Sequence, residues 1–217
     1  MRTHTASVTE IEELAPSVVQ ITVTFQDQSF SFEPGQWVNF RFPDGVSRAY
    51  TIASASQRSE AVQLCVRVGP GRGGMALMKL DAGAEVTIDG PYGDFVVPKN
   101  DGRPMVFMAG DTGIAPIRSM VLSMLADGDP RKICVLYEPD HRNILYASDF
   151  DPLARDGSIV HESGKIGVLI ARNREHMKSA TLMACGFDPF IDQVVDALHE
   201  NGIDPKALIS ETFGPMP

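Results

Sequence analysis

Up to about residue 98, apolar and polar residues alternate in short runs that turn residues separate. Alternation with a period of two, in runs rich in β-branched and aromatic residues, indicates strands with one face on a core. In the run at 62–68 the even-numbered positions are valine or leucine and share one face, while positions 63, 65 and 67 take the other. Strands are predicted at 17–25, 36–42, 47–54, 62–68 and 86–89, and one helix at 73–80.

After Pro98 the pattern changes, because apolar strands now alternate with helical segments. Strands are predicted at 105–108, 133–137, 158–160 and 181–184. This alternation is typical of a parallel sheet that helices cover on both faces. In the helix after residue 189, Ile191, Val194, Val195 and Leu198 have the spacing of an apolar helical stripe. The polar, turn-rich segment 99–102 predicts a domain boundary there.

Composition narrows the function classes. A chain of 217 residues is long enough for one large domain or two of about 100 residues each, and 43% hydrophobic content is ordinary for a globular protein. No segment approaches the roughly 20 apolar residues of a membrane span, and the first residues lack the apolar stretch of a secretory signal, so we expect a cytoplasmic protein. The net charge of −9, spread along the chain, argues against nucleic acid as a partner.

Cysteine and histidine positions argue against a metal centre. Cys65, Cys134 and Cys185 are too widely spaced for a disulfide framework, a zinc site or an iron–sulfur cluster. The five histidines are scattered over segments expected to be loops or exposed faces, so no metal site is predicted. We therefore expect any metal-containing electron carrier that works with this chain to be a separate protein.

One predicted strand combines a cation, an aromatic ring and a hydroxyl. Because side chains alternate along a strand, Arg48 and Tyr50 point to one side, and Ala49 and Thr51 to the other. Arginine can bind a pyrophosphate bidentately, tyrosine can pack on a planar ring system, and a threonine hydroxyl can hydrogen-bond a ring nitrogen. Taken alone, the four residues fit either such a cofactor site or an ordinary half-exposed strand.

Glycine-rich turns follow at three places. Gly71-Arg72-Gly73-Gly74-Met75 opens the predicted helix, so its backbone N–H groups suit a phosphate. Gly90-Pro91-Tyr92-Gly93-Asp94-Phe95 closes the last strand of the first half. Gly110-Asp111-Thr112-Gly113-Ile114-Ala115-Pro116 joins a strand to a helix, which is the geometry that binds a dinucleotide pyrophosphate, and Pro116 suits the first helical turn. Cys185-Gly186 ends another strand at the same predicted sheet edge.

In this ordered set of motifs, completed by Glu211-Thr212-Phe213-Gly214, the chain resembles the ferredoxin–NADP⁺ reductase superfamily over nearly its whole length. The resemblance implies a six-stranded antiparallel flavin-binding barrel at 1–98, followed by a doubly wound, parallel, five-stranded nucleotide-binding domain at 99–217. It also implies hydride transfer from NADH or NADPH to FAD, and then single electrons to a separate acceptor such as a ferredoxin or an oxygenase component. The C-terminal motif is similar to that of flavohaemoglobins and oxygenase reductases.

The same resemblance assigns roles to individual residues. The catalytic candidates are Thr51, near flavin N5, Cys185, near the nicotinamide, and Glu211 and Phe213, with the Phe213 ring beside the flavin. The flavin contacts are Arg48, Ala49, Tyr50, Thr51, Gly73, Gly74, Met75 and Phe213, and the nucleotide contacts are Gly110, Asp111, Thr112, Gly113, Pro116 and Gly186.

Several positions depart from the family pattern. Met75 replaces a hydroxyl residue, so backbone N–H groups must serve the flavin phosphates there. Asp111 replaces a common glycine and places a carboxylate beside the expected pyrophosphate, unless it caps the helix. Because a carboxylate satisfies a ribose 2′-hydroxyl, Glu162 is a candidate ribose contact and Asp140 also favours NADH. Lys165 and Arg142 keep NADPH possible.

Three functions remain open from the sequence. The first is an NAD(P)H-dependent flavoprotein reductase with a separate one-electron acceptor. The second is a flavin-binding electron-relay subunit of a larger complex whose nicotinamide site has decayed. The departures at Asp111, Asp140 and Phe187 and the short segment 161–165, which replaces a basic segment of the family, motivate it. The third is a protein of the same two folds that binds no flavin. FMN in place of FAD also stays open.

Overall fold

A computed structural model describes residues 2–26, 30–57, 61–99, 101–140 and 144–215. Its contacts divide the chain into two compact units. The first comprises Met1–Val97 with Arg118–Asp127, and the second comprises Pro98–Ile117 with Gly128–Pro217. The domain boundary at 98/99 stays a prediction. In the described part of the chain, no helix is long and apolar enough to cross a membrane.

The first unit contains a closed six-stranded antiparallel barrel with the strand order β1-β2-β5-β4-β3-β6, as expected. Its core is built from inward-facing side chains, because alternate residues of a strand face the same side. The elements are β1 (Arg2–Ala15), β2 (Val18–Phe25), β3 (Trp37–Arg41), β4 (Ser47–Ile52), β5 (Ala61–Arg67), α1 (Arg72–Leu77) and β6 (Glu85–Tyr92).

In strand β5 the alternation correctly predicts the face that packs on the core, but the opposite face differs from the prediction. Val62, Leu64 and Val66 are buried in the barrel core, as the pattern predicted. Cys65 on the opposite face is also buried, with 6% exposure, although we expected that face to be polar and open. On that face, Gln63 accepts a hydrogen bond from the buried Arg118, so a later helix segment of the same unit covers this side of the strand.

The second unit contains a five-stranded parallel sheet with the order β11-β10-β7-β8-β9. Chain order therefore reverses at β7, and such a switch point opens a crevice at the carboxyl ends of the central strands. This confirms the doubly wound prediction. The elements are β7 (Met105–Gly110), a 3-10 turn (Asp111–Gly113), α2 (Ile114–Ala126), β8 (Ile133–Glu138), α3 (Ala147–Arg155), β9 (Val160–Ser163), α4 (Ile166–Met177), β10 (Thr181–Gly186), α5 (Asp188–Glu200), a 3-10 turn (Pro205–Ala207) and β11 (Leu208–Thr212).

Two local predictions for this unit were wrong. The third strand runs over Val160–Ser163 instead of 158–160, because the Asp156 side chain accepts a hydrogen bond from the Ser158 amide and holds that residue in the preceding turn. In α5, Val195 is 36% exposed. The buried stripe is made instead by Phe190, Val194, Ala197 and Leu198.

Two histidines also differ from expectation. His4 lies on β1, in the N-terminal segment that reads as a polar strand, and its buried ring meets Phe25 and Phe30 edge-on. The His161 side chain lies on β9, is 4% exposed and packs against Phe150. Both are therefore interior residues, whereas His141 lies outside the described part of the chain. Among the residues that the structure describes, no group of three or more histidine, cysteine or acidic residues could hold a metal ion.

Candidate functional site

The guanidinium of Arg48 lies against the first turn of α1. A Cβ atom placed on Gly73 would stand 2.7 Å from Arg48 Nε and 3.3 Å from its Cγ, so any side chain there would displace the arginine. Arg48 is exposed at the surface of the first unit, and its Nη1 donates to the Ser47 carbonyl at 2.7 Å. Strand β4 and helix α1 thus bring together a cation and a glycine turn that β5 separates along the chain.

The glycine turn supplies backbone N–H groups beside this cation. The first amides of a helix have no intrahelical acceptor, which leaves those of Gly73 and Gly74 available to a ligand. A Cβ atom on Gly74 would stand 2.0 Å from the Gly69 carbonyl oxygen, so this tight turn also requires glycine. The Met75 amide instead donates to the Gly71 carbonyl at 3.0 Å and is therefore already used within the turn. A contact of Met75 with the flavin stays a prediction.

The remaining residues of the β4 motif differ in exposure. Ala49 is exposed, whereas Tyr50 and Thr51 are half-buried, and Tyr50 packs against the barrel core. Burial raises the pKa of the Tyr50 hydroxyl to about 12, and the nearby Arg48 charge offsets part of this effect. The phenol is therefore neutral at physiological pH. Strand β4 therefore presents a cation at Arg48, a small residue at Ala49 and a hydroxyl at Thr51 within four consecutive residues.

Trp37 is a neighbour of this motif that the sequence reasoning missed. In the register of β3 and β4 it stands directly across from Thr51. Its ring packs on Tyr92 with a centroid separation of 4.7 Å, and a Cβ atom on Gly93 would stand 3.0 Å from Trp37 Cδ1. The signal in the sequence was the pair of glycines that flank Pro91 and Tyr92, because a glycine lets a large ring pack closely against the backbone.

Arg118 is a second residue that the sequence reasoning missed. It is 8% exposed and donates to the Ala53 carbonyl at 2.8 Å and to Gln63 Oε1 at 2.9 Å. Next to it, the Ser119 hydroxyl donates to the Ser54 carbonyl at 2.6 Å. These bonds hold the segment that directly follows β4. Arg118 therefore supports the position of the β4 motif from within the first unit.

In the second unit, the glycine turn at 110–116 lies at the carboxyl end of β7, beside the switch point. Gly110 is the N-cap of the 3-10 turn, and Asp111, Thr112 and Gly113 form it, all of them buried. Pro116 is the third residue of α2 and so lies in its first turn, as expected. The backbone follows the strand–turn–helix path that the pattern predicted.

Asp111 has a left-handed backbone conformation, with φ of 52°. Glycine adopts this conformation without steric cost, and aspartate is one of the few other residues that tolerate it. The carboxylate lies one residue after the N-cap Gly110, in the first turn, where the helix dipole stabilises a negative charge. Because Asp111 is buried, the repulsion between its carboxylate and a bound pyrophosphate, which the sequence led us to expect, would act at a buried residue.

Gly113 packs directly against the end of β10. A Cβ atom on it would stand 2.0 Å from the Cys185 carbonyl oxygen and 2.9 Å from the Gly186 amide nitrogen. The turn and the Cys185-Gly186 pair are therefore in contact, as two neighbouring strands of a nucleotide-binding sheet require. Any side chain at Gly113 would separate them.

Three of the four catalytic candidates meet at this edge. In the register of β10 and β11, Cys185 stands beside Glu211, and the Phe213 amide donates to the Gly186 carbonyl at 3.0 Å. Burial, and then the Glu211 charge, raises the pKa of the Cys185 thiol well above its ordinary value. Cys185 is therefore a neutral thiol. Thr51, the fourth candidate, belongs to the first unit.

The Phe213 ring packs against Phe187, one of the residues that depart from the family pattern. Phe187 meets it edge-on with a centroid separation of 5.8 Å. The Asp188 amide donates to the Gly214 carbonyl at 2.9 Å, and the Thr212 hydroxyl donates to the Asp188 carboxylate. The start of α5 thus fixes the C-terminal motif within the second unit.

Glu162 is engaged by α4. One carboxylate oxygen accepts from Arg172 Nη1 at 2.9 Å and the other from Asn173 Nδ2 at 3.1 Å. Lys165 is likewise paired, because its ammonium donates to Glu138 at 2.8 Å. Arg142, the other cation considered for a 2′-phosphate, lies outside the described residues.

Comparison with known proteins gives a consistent result. Residues 5–97 match the family model of the oxidoreductase FAD-binding domain. The chain is 23% identical over 230 residues to the reductase component of propane 2-monooxygenase from Rhodococcus jostii, covering 95% of this chain and 62% of that protein. It is 35% identical over 156 residues to ferredoxin–NADP reductase B from Sorangium cellulosum, covering 69% of this chain and 64% of that protein. The chain thus spans less than two thirds of either relative.

A solved structure supports the fold. The cytochrome P450 reductase of Amycolatopsis superposes with a TM-score of 0.85 and 24% identity, over 99% of this chain and 70% of that one. At this identity, the likeness concerns the fold.

Proposed function

We propose that this chain, whose residues 5–97 match the oxidoreductase FAD-binding domain and whose motifs resemble the ferredoxin–NADP⁺ reductase superfamily, is an NAD(P)H-dependent flavoprotein reductase. It takes hydride from a reduced nicotinamide nucleotide onto FAD and passes single electrons to a separate acceptor protein. A bound flavin supplies the conversion between two-electron and one-electron transfer. A cytoplasmic location stays a prediction.

The observation that carries this proposal is the meeting of Arg48 with the glycine turn of α1. A guanidinium beside backbone amides, on a surface that only glycine leaves open, fits a pyrophosphate. Together with the family match over residues 5–97, this favours FAD over FMN, because a dinucleotide carries the pyrophosphate. Tyr50 and Thr51, on the same strand, would then contact the flavin ring system.

The second unit supports nucleotide binding in the same way. Gly110 and Gly113 let the turn pack closely against the Phe190 ring and the Cys185 carbonyl at the switch point. This edge of an open α/β sheet is where dinucleotides bind. From the family resemblance we expect the nicotinamide near Cys185, whose fully buried, neutral thiol adds no charge there. We take NADH as the preferred donor, because the cation Lys165 at this edge is already paired with a carboxylate.

The acceptor is a separate protein with a one-electron centre. The relatives named as a monooxygenase reductase component and a ferredoxin–NADP reductase support this assignment. A ferredoxin or an oxygenase component fits the role, because each receives electrons one at a time from a reduced flavin.

The test is to purify the protein, release and identify its flavin, and titrate it anaerobically with NADH and with NADPH. We expect stoichiometric FAD whose visible band bleaches with NADH. A tightly bound flavin that neither nucleotide bleaches would select the electron-relay alternative. A colourless protein that flavin cannot reconstitute would contradict flavin binding altogether.

A further inference from the structure

The segment 53–57 directly follows strand β4, which carries the proposed flavin contact Thr51. Among the described residues, β4 is in register with β5 at two pairs, Thr51 with Cys65 and Ile52 with Leu64. Beyond Ile52 the chain leaves the strand. The position of this end of β4 therefore depends on what holds the segment that follows it.

Helix α2 carries two serines that face this segment. Ser119 and Ser123 are four residues apart, so they lie on the same face of the helix. They are 0% and 3% exposed. Both belong to the stretch Arg118–Asp127, which is part of the first unit. Because polar groups at buried positions are hydrogen-bonded in folded proteins, the two hydroxyls need partners close to the helix.

The two serines bind the segment in chain order. The Ser119 hydroxyl donates to the Ser54 carbonyl at 2.6 Å. One helical turn later, the Ser123 hydroxyl oxygen accepts from the Ser56 amide at 3.0 Å, and the hydroxyls of Ser56 and Ser123 are 3.3 Å apart. The segment therefore runs along α2, and the helix holds its main chain at two successive points.

Arg118 contacts the same segment but joins it to a different element. Its Nη1 donates to the Ala53 carbonyl at 2.8 Å and to Gln63 Oε1 at 2.9 Å, so it links the segment to β5. The serines instead join the main chain of the segment to α2 alone. A serine hydroxyl moves through a single staggered torsion, so it fixes the distance from the helix more narrowly than a long arginine side chain does.

We propose that Ser119 and Ser123 are positioning residues that hold the Thr51 hydroxyl in place for hydride transfer to the flavin. Thr51 lies three residues before Ser54, so a shift of the segment moves the end of β4. A small displacement of a group at the reacting centre costs rate more than it costs binding. This inference rests on the proposed function, because it assumes that Thr51 faces a bound flavin.

The test compares Ser119→Ala, Ser123→Ala and the double serine variant, each with Thr51 and with Thr51→Val, as flavin-loaded full-length proteins. Thr9→Val is the control, because the Thr9 hydroxyl donates to the Thr22 carbonyl on β2, which is not a neighbour of β4. Anaerobic stopped-flow reduction over a range of NADH concentrations separates the limiting rate from the dissociation constant of NADH. Retained FAD and urea unfolding show that each variant is loaded and folded.

We expect the double serine variant to be reduced about tenfold more slowly than the parent, and each single variant about threefold more slowly. The dissociation constant of NADH should stay within about twofold of the parent value, because the serines act on the reacting geometry and not on binding. With Thr51→Val, the double serine change should slow reduction by less than about twofold, since the hydroxyl that it positions is absent. Thr9→Val should match the parent.

Equal slowing with and without the Thr51 hydroxyl would overturn the inference, because the serines would then act on the fold and not through Thr51. An unchanged limiting rate, or a loss that appears in NADH binding instead, would also overturn it. The single variants decide the matter if the double variant does not fold. In each of these cases a parent that NADH reduces keeps the proposed function. A parent whose flavin neither nucleotide bleaches would instead contradict the proposed function together with the inference.

Discussion

Arg48 and Gly73 are in contact at the proposed phosphate site of the first unit: a methyl group on Gly73 would stand 2.7 Å from Arg48 Nε. The absence of a side chain at one residue therefore sets the position of the cation at the other. This relationship joins a strand and a helix, and it gives the most direct test of flavin binding.

Gly73→Ala should weaken FAD binding, with a dissociation constant raised about tenfold or more, because a displaced arginine loses a charge-assisted hydrogen bond. Alanine favours a helix more than glycine does, so loss of α1 would not explain the result. Retained flavin after gel filtration, and its dissociation constant, provide the measurement. Gly102→Ala is the control, since a Cβ atom there meets no atom within 4 Å. Equal flavin retention in both variants would contradict the proposed phosphate site.

Thr51→Val should slow flavin reduction by NADH about 10- to 100-fold while FAD stays bound, because it removes one hydroxyl hydrogen bond at the reacting ring. Thr51→Ser, which keeps the hydroxyl, should restore most of the rate. Anaerobic stopped-flow reduction measures both. A valine variant that is reduced as fast as the parent would remove Thr51 from the catalytic set.

Asp111→Asn should strengthen nucleotide binding several-fold, because it removes a negative charge beside the proposed pyrophosphate while asparagine keeps the left-handed conformation. Asp111→Ala should also cost about 1–2 kcal/mol in the free energy of unfolding, since alanine is strained at a φ of 52°. Nucleotide titrations and urea unfolding separate the two effects. Weaker nucleotide binding in the asparagine variant would show that the carboxylate supports the turn.

Arg118→Met should destabilise the protein by about 2–4 kcal/mol, because the Ala53 carbonyl and the Gln63 amide oxygen would lose a buried donor. Arg155→Met is the control, as Arg155 is exposed and its described hydrogen bond is to Asp151 in its own helix. Urea unfolding followed by circular dichroism gives the comparison. Similar stability for the two variants would contradict a supporting role for Arg118.

Periodicity predicted much of the fold. The alternation at 62–68 located a core strand, and the change of period after residue 98 located the parallel sheet, because both are consequences of side-chain direction along a regular backbone. The same reasoning failed at Val195 and Cys65. There the exposed or buried state depends on which neighbouring element covers a face, and a local pattern does not contain that information.

The periods of strands and helices and the glycine turns are local properties, so the amino-acid sequence alone indicated a strand-rich first half, an alternating second half and the succession of motifs. The six-stranded barrel and the five-stranded doubly wound sheet were expected from the family resemblance that these motifs carry. Which side chains meet is a property of the folded chain. Folding brings Arg48 to Gly73 and Trp37 to Thr51. It also places Glu138 beside Gly110. These pairings follow from strand register and from packing between distant segments, which chain order does not specify.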